Sequence, residues 1–542
     1  MKKRYLLLLP AIALLASCEP SIKDEIDGGT YYAGEADFSS YVAVGNSLTA
    51  GFMDGTVFKS GQKNSFPNIL ATQFKIVGGG EFTQPLFEDD MNDVGGLLFA
   101  GQENPGFPTR MIVNMMPGAD GQAIGPQNID RAVTIEATKQ QKKAYHNAGV
   151  PGAKTFHLIA PGYGNPSGLL TTPATANPYF VRTATADNAT VLGDAMSLKP
   201  TFFTNWIGAN DVLAYATSGG EGVDQNKAGG TNPAMYGSND ITHAGVFKQV
   251  YEQITNTLTS EGAKGIVATI PDVTAIPFFT TVPYNPLSPK LIGEGNIDQL
   301  NSLIGLLKQI LAKGGQGDRL QLISKTSANP LLIQDKTLAD MSALLEGGVT
   351  QVVGAGLFPV KLTPEQIKFI AMSYGQARHA TAKDLMLLTS KAQIGASLPQ
   401  STGNPTMDAM LKKGVSFPIS DSFVLNPTEQ ANIKEATVQF NSIIKATATS
   451  KGLAVADMND ILNKAVSGLR VEDGQIYTAN YFQGMGNLNT VMFSLDGVHL
   501  NGRGYAFIAS EILRSINKHY KASIPLVNPA VYPGPTLMVG NK

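Results

Sequence analysis

The sequence is poor in cysteine, in charge and in long apolar runs. Its single cysteine, Cys18, excludes an intrachain disulfide bond. Charged residues make up 15% of the chain, against about 25% in average soluble domains. The formal net charge of −2 excludes the broad basic field typical of nucleic-acid-binding proteins, so we expect no nucleic-acid partner. No internal apolar run reaches the roughly 18 residues that a membrane-spanning helix needs.

The chain is long and rich in glycine. The chain has 542 residues, 57 of them glycine, and 43% of its residues are hydrophobic. This is enough apolar material for a sizeable core, and the length predicts one large domain with insertions or two domains.

The N-terminal residues have the pattern of a targeting segment. A basic Lys-Lys-Arg at 2–4 is followed by an apolar stretch at 5–16, and Leu-Ala-Ser-Cys at 15–18 ends it. This resembles a bacterial lipoprotein signal over residues 1–17, followed by a polar tether at 18–37. The resemblance implies lipid attachment to Cys18 and a lipid-anchored protein of the bacterial cell envelope, in the outer membrane. The alternative is an ordinary secretory signal with an incidental cysteine.

The stretch at 41–52 is the one around which the chain is organised. It begins as a buried apolar strand, breaks at Gly45 and continues as a short helix from Ser47. A serine at such a turn has an outward hydroxyl beside the free N–H groups of the helix, which suit an oxyanion. Taken alone, Ser47 fits a helix N-cap equally well.

Two later strands also end in glycine and polar residues. The stretch at 145–155 contains Gly149 and Gly152, either of which can bring a backbone N–H close to a ligand. The strand predicted at 200–207 ends at Asn210 and Asp211. Asn210 is able to donate an amide to an oxyanion and Asp211 to cap the next helix. The alternative in both places is a plain turn.

Asp496 and His499 lie three residues apart in a glycine-containing loop. Such a loop can fold the carboxylate onto the imidazole Nδ1, which leaves Nε2 free as a base. An isolated pair of this kind is more often a metal-ligand pair or a loop hydrogen bond. We expect no metal and no other cofactor, because no further histidine or carboxylate cluster with ligand spacing accompanies the pair.

The remaining pattern predicts a parallel sheet with crossover helices. Strands are predicted near residues 41, 145, 202, 266 and 454, and an amphipathic helix over 244–258. The main domain is expected over 38–274 and 421–524, with an extended tail at 525–542. A loop-rich insertion is expected near 78–143 and a mostly helical one at 275–420, the latter as a lid or a partner-binding module.

Four segments in chain order, Gly-Asn-Ser-Leu, a glycine loop, Gly-x-Asn-Asp and Asp-x-x-His, together resemble the SGNH hydrolases, also called the GDSL family. The resemblance implies a flavodoxin-like three-layer α/β fold with about five parallel strands. Position by position, it implies Ser47 as nucleophile, Asp496 as acid and His499 as base. It also implies an oxyanion hole formed by Ser47, Gly152 and Asn210.

The function implied by this resemblance is that of a serine hydrolase of carboxylic esters. Lipid or fatty-acyl esters and O-acetyl groups on glycans are the two expected substrate classes, and the sequence does not choose between them. Asn46 departs from the family, which usually has Asp at that position, and activity is expected to survive the change. The alternative from another class is a catalytically silent surface binding module on the same fold.

Overall fold

The computed structural model of the chain describes most of its residues, namely 30–116, 125–358, 361–466, 468–470 and 476–538. Cys18, with the predicted signal at 1–17 and the first part of the predicted tether, lies outside the described residues.

The centre of the molecule is a sheet of five parallel strands. Its strands are β1 (Tyr41–Gly45), β2 (Asn147–Gly149), β3 (Phe202–Trp206), β4 (Lys264–Ala268) and β5 (Ala454–Ala456). Every residue of β1 and β3 is buried, which is typical of parallel strands covered on both faces. The prediction of an α/β fold with a parallel sheet of about five strands is confirmed.

The strand order across the sheet is β2-β1-β3-β4-β5. This is one of the two common orders of doubly wound sheets, and its direction reverses between β1 and β3. Gly45 at the end of β1 is in register with Gly149 on one side and Trp206 on the other. The carboxyl ends of these three strands therefore lie together, where open α/β sheets bind ligands.

Helices cover both faces of the sheet and make three layers. Seven helices position the site or pack on the sheet: α1 (Ser47–Ala50), α2 (Phe66–Ile76), α3 (Val191–Met196), α4 (Asn210–Thr217), α5 (Ala244–Leu258), α6 (Pro427–Lys451) and α7 (Gly502–Tyr520). α2 and α7 pack together on one face, and α3, α5 and α6 on the other. Phe247 of α5 and Phe440 of α6 stack with ring centroids 4.2 Å apart.

The start of α6 shows how the sequence sets a helix boundary. Asn426 Oδ1 accepts hydrogen bonds from the N–H groups of Thr428 and Glu429, and the Glu429 carboxylate accepts from the Asn426 N–H. This is a capping box with proline at the first helical position, as Asn-Pro-Thr-Glu predicts. The helix ends at Gly452, whose φ of 62° favours glycine.

A second hydrophobic cluster is built from residues between Val282 and Val424. Its helices are Pro289–Ile292, Ile297–Lys313, Ser342–Gly354, Pro364–Tyr374 and Pro405–Met410, and its short strands are Leu332–Gln334, Ala377–His379, Leu385–Met386 and Val424–Leu425. A continuous set of buried side chains of its own means that this part of the chain packs around a separate centre.

The stretch at 78–143 is mostly loop, with short strands Leu98–Phe99, Gln102–Glu103, Met111–Asn114 and Gly125–Asn128. The chain's last described strand, Leu537–Met538, pairs in parallel with Met111–Asn114, so the tail is tied to this stretch.

The remaining elements are short connections. They are the helices Lys59–Lys63, Pro178–Thr183, Gln225–Ala228, Pro277–Thr280 and Met458–Val466 and the strands Leu469–Arg470 and Ile476–Tyr477. The described residues also form short 3₁₀ helices, which include Thr155–Ile159, Pro166–Leu170 and Pro233–Met235. In the described part of the chain, none of the helices has the length and apolar content to span a bilayer.

Candidate active site

The turn between β1 and α1 places a serine at the edge of the sheet. Gly45 is required here, because a Cβ at this position would lie 2.1 Å from Thr49 Oγ1. Asn46 is the N-cap of α1 and accepts a hydrogen bond from the Leu48 N–H at 3.1 Å. Ser47 is therefore the first residue of the helix rather than its cap, and its own N–H has no intrahelical acceptor.

Three of the predicted residues form a hydrogen-bonded chain. His499 Nδ1 lies 2.9 Å from Asp496 Oδ2, and His499 Nε2 lies 2.8 Å from Ser47 Oγ. A carboxylate only accepts hydrogen bonds, so Nδ1 carries the proton and the lone pair of Nε2 faces the serine hydroxyl. The side chain of Asp496 is 12% exposed and that of His499 14% exposed, so water has limited access to the pair. The arrangement has the geometry of a serine activated by a histidine base.

Asp496 is held by more donors than the histidine alone. Its Oδ1 accepts from the Ser494 hydroxyl and from the N–H groups of Val498 and His499, and its Oδ2 accepts from the Gly55 N–H at 3.1 Å. Burial by itself would raise the pKa of Asp496, but the nearby His499 and these N–H donors outweigh it and hold the pKa at about 2. The carboxylate is thus charged and fixed in position at neutral pH.

Sequence reasoning missed Asp54, which braces the loop that contains Asp496. Its N–H donates to Ser494 Oγ at 3.0 Å, and the Leu495 N–H donates to its Oδ1 at 2.9 Å. The side chain is buried, and burial together with the charge of Asp496 raises its pKa to about 7. No pattern in the sequence marks this residue, because its partners lie far along the chain.

We expect Asp54→Asn to make the protein more stable than the wild type above pH 7 and to leave its stability unchanged near pH 4. The pKa of Asp54 is higher in the folded chain than its ordinary value of 3.8. The contribution of protonated Asp54 to the free energy of unfolding is fully present below pH 3.8 and is lost as the pH rises through about 7. This shift of the Asp54 pKa corresponds to a loss of up to about 4 kcal/mol in the free energy of unfolding of the wild type. Asparagine keeps the bond from Leu495 and never ionises.

Urea unfolding of the two proteins at pH 4.5 and pH 8 measures the difference. The exposed Asp130→Asn is the control, since it removes no buried group. Equal stability differences at the two pH values would contradict the expectation.

The two predicted oxyanion donors lie at the ends of the neighbouring strands. Asn210 begins α4 after β3, and its Nδ2 donates to Ala153 O at 3.0 Å, which leaves its second amide hydrogen available. Gly152 lies in the loop after β2 with a φ of +78°. Both residues line the same cleft as Ser47 and His499, so the structure brings all five predicted residues together at one edge of the sheet.

Asp211 was expected to cap the helix after β3, and this is wrong. α4 begins one residue earlier, and Asp211 lies in its first turn. Its buried Oδ2 accepts from the N–H and the hydroxyl of Thr155 at 2.8 and 2.7 Å. The carboxylate is drawn inward because the Thr155 N–H needs a partner there. It thereby fixes the loop that contains Gly152 against the helix that contains Asn210.

Two openings meet at Ser47. One is a cleft of about 1050 Å³ whose lining includes Ser47, Gly152, Asn210 and His499. The other is a small pocket of about 40 Å³ that reaches Ser47, Asn210 and His499 and is otherwise lined mainly by apolar side chains, among them Trp206 and Leu213. The cleft, rather than the small pocket, therefore has room for the two parts of an ester on either side of its carbonyl carbon.

The described residues contain no group of three or more histidine, cysteine or acidic side chains able to hold a metal ion. Comparison of the chain with models of protein families, with curated proteins and with solved structures found no match.

Proposed function

We propose that this protein is a serine hydrolase of carboxylic esters. The observation that carries the proposal is the chain of two hydrogen bonds, 2.8 Å from Ser47 Oγ to His499 Nε2 and 2.9 Å from His499 Nδ1 to Asp496 Oδ2. The three polar side chains are held in one mutual orientation by these bonds. They face a cleft large enough for a substrate.

The reaction has two halves. Ser47 Oγ attacks the ester carbonyl carbon while His499 Nε2 takes its proton, and Asp496 stabilises the imidazolium that results. The tetrahedral intermediate breaks its bond to the alcohol oxygen, which leaves with the proton from Nε2. Water, deprotonated by the same nitrogen, then attacks the acyl-enzyme and releases the carboxylic acid.

The oxyanion is stabilised by three donors in this proposal: the Ser47 N–H, the Gly152 N–H and the free amide hydrogen of Asn210. The support is their shared lining of the cleft and the bond from Asn210 to Ala153, which holds the amide in one orientation. Donors of this kind are typically worth about 3 kcal/mol each in the transition state.

We further propose that the chain is an SGNH-type hydrolase anchored to the bacterial cell envelope through a lipid on Cys18. Support comes from the four motifs, from the sheet order, and from the site at the carboxyl ends of β1, β2 and β3. The departure at Asn46 is compatible with this, because Asn46 caps α1 through its side-chain oxygen, a role that Asp performs equally well.

A fluorophosphonate probe tests the proposal directly. The probe is expected to add to Ser47 and to no other serine, because Ser47 is the one serine in the described part of the chain whose hydroxyl is hydrogen-bonded to a histidine. Peptide mass spectrometry locates the adduct, and hydrolysis of p-nitrophenyl esters from acetyl to long acyl measures turnover. Labelling elsewhere, or no turnover with any ester, would favour the silent binding module.

A further inference from the structure

The surface that lines the cleft at Ser47 is mostly apolar. Its walls include aromatic and aliphatic side chains such as Phe52, Phe156, Ile159, Leu213 and Phe278. Its volume of about 1050 Å³ lies at the upper end of the roughly 300–1,000 Å³ of typical small-molecule sites. A ligand with a long apolar part gains the most binding free energy in this cleft, because it buries the most apolar surface.

The charged side chains that line the cleft are already engaged within the protein. Lys154 donates to Asp240 O at 2.7 Å, and Asp496 is held by its own donors. His157 accepts a hydrogen bond on Nδ1 from the Lys154 N–H, and burial and the charge of Lys154 lower its pKa to about 4, so it is neutral. The cleft therefore offers little to a phosphate or a carboxylate.

The hydroxyl groups of the cleft are also engaged. Tyr236 donates to Gly230 O at 2.7 Å, and Thr217 donates to Leu213 O at 3.0 Å. Tyr163 accepts from the Asn177 amide at 3.1 Å. A sugar brings many hydroxyl groups that would lose water here and gain few partners, whereas an acyl chain brings none.

Two large exposed apolar side chains lie on segments whose neighbouring residues line the cleft. Leu170 is 87% exposed and Met235 is 79% exposed, and no other large hydrophobic residue in the described part of the chain is more exposed than these two. Leu170 lies in a loop closed by the bond from the Thr175 N–H to Gly168 O, and Thr175 lines the cleft. Met235 lies between Ala234 and Tyr236, which also line it.

The segments around these two residues carry no charge. Residues 155–181 and 228–239 contain no Asp, Glu, Lys or Arg. Phe156 of the first segment packs edge-on against Tyr236 of the second, with ring centroids 5.9 Å apart, so the segments form one rim. A protein partner is usually held by a polar and charged border around an apolar centre, which this rim lacks.

We infer that this rim is a lipid-contacting surface and that the substrate is a long-chain acyl ester drawn from a lipid phase into the cleft. The inference rests on the proposed function and chooses between its two substrate classes. A lipid surface is the one occupant that suits the uncharged rim, the two exposed side chains and the apolar path that continues to Ser47. Leu170 and Met235 enter the lipid, and the acyl chain follows the cleft.

The test uses the chain from Glu19 onward, which lacks both the apolar segment at 5–16 and Cys18, so that neither contributes to vesicle binding. The probe is phosphatidylcholine vesicles containing p-nitrophenyl palmitate, with p-nitrophenyl acetate in solution as the soluble substrate. We expect Leu170→Ser/Met235→Ser to lose about tenfold or more in vesicle binding and in hydrolysis of the palmitate, since two exposed apolar side chains no longer enter lipid. Hydrolysis of the acetate should change less than twofold.

The matched control is Leu357→Ser/Met372→Ser, two residues that are 70% and 63% exposed and do not line the cleft. This control should behave as the wild type with both substrates. The inference is overturned if the wild type does not bind vesicles, if the rim variant matches it, or if the control loses as much as the rim variant. Binding of Ser47→Ala to vesicles does not depend on turnover, so it tests the rim alone. Failure of the esterase proposal is measured separately, as the absence of acetate hydrolysis by the wild type.

Discussion

Ser47→Ala is expected to reduce the turnover of p-nitrophenyl butyrate by about 10⁴- to 10⁶-fold. The substitution removes the only atom that forms the acyl-enzyme, and a water in its place lacks the alignment between His499 Nε2 and the oxyanion donors. Ser47 is buried, and its hydroxyl makes one hydrogen bond, to His499 Nε2. Loss of one such bond costs only about 1 kcal/mol of stability, so the variant should fold.

The measurement compares kcat/KM and the thermal midpoint of wild type and variant. Ser510→Ala is the matched control, because Ser510 is also buried and its hydroxyl donates to Val527 O at 2.9 Å. It does not line the cleft. A Ser47→Ala protein that retains more than a hundredth of wild-type turnover would remove the nucleophile from the proposal.

The ends of strands were the most predictable part of the site. Ser47, Gly152 and Asn210 each follow a strand in a short pattern with glycine, and these patterns are local. Because parallel strands end at one edge, three local patterns suffice to predict that the residues meet. Asp496 and His499 add a pair whose spacing of three lets one loop hold both.

The supporting residues were not predictable in the same way. Asp54 bonds to Leu495 and Asp211 bonds to Thr155, and each pair is far apart in the sequence. Such contacts depend on how distant loops dock, which no local periodicity records. The helix-cap role expected of Asp211 followed the usual statistics of Asp near a helix start, and a buried N–H in another loop prevailed over it.

The position of the rim beside the cleft was also not predictable from the sequence. The segment around Leu170 is rich in glycine, proline and threonine, a composition that favours an irregular backbone. The structure contains 3₁₀ turns there, at Thr155–Ile159 and Pro166–Leu170. That it borders the site is a property of the fold, because the segment leaves β2 and returns to the sheet only at β3.

Asp496→Asn is expected to reduce kcat by about 10⁴-fold while binding of substrate changes little. Asparagine keeps an oxygen for the Ser494 hydroxyl and for the N–H groups of Val498 and His499. Its NH₂ group then takes the place of Oδ2 and faces His499 Nδ1. Nδ1 must become the acceptor, so the proton moves to Nε2, which can no longer take a proton from Ser47.

The tautomer of the His499 imidazole distinguishes this effect from a general loss of structure. Nitrogen-15 NMR of His499 should give a protonated Nδ1 in the wild type and a protonated Nε2 in Asp496→Asn. Asp54→Asn is the matched control, since it changes a neighbouring buried carboxyl group that has no bond to the imidazole. A variant with the wild-type tautomer and a large loss of kcat would mean that the charge of Asp496, rather than its orientation of the ring, carries its contribution. Wild-type kcat in Asp496→Asn would instead exclude Asp496 from the reaction, because nothing then couples this carboxylate to proton transfer at Ser47.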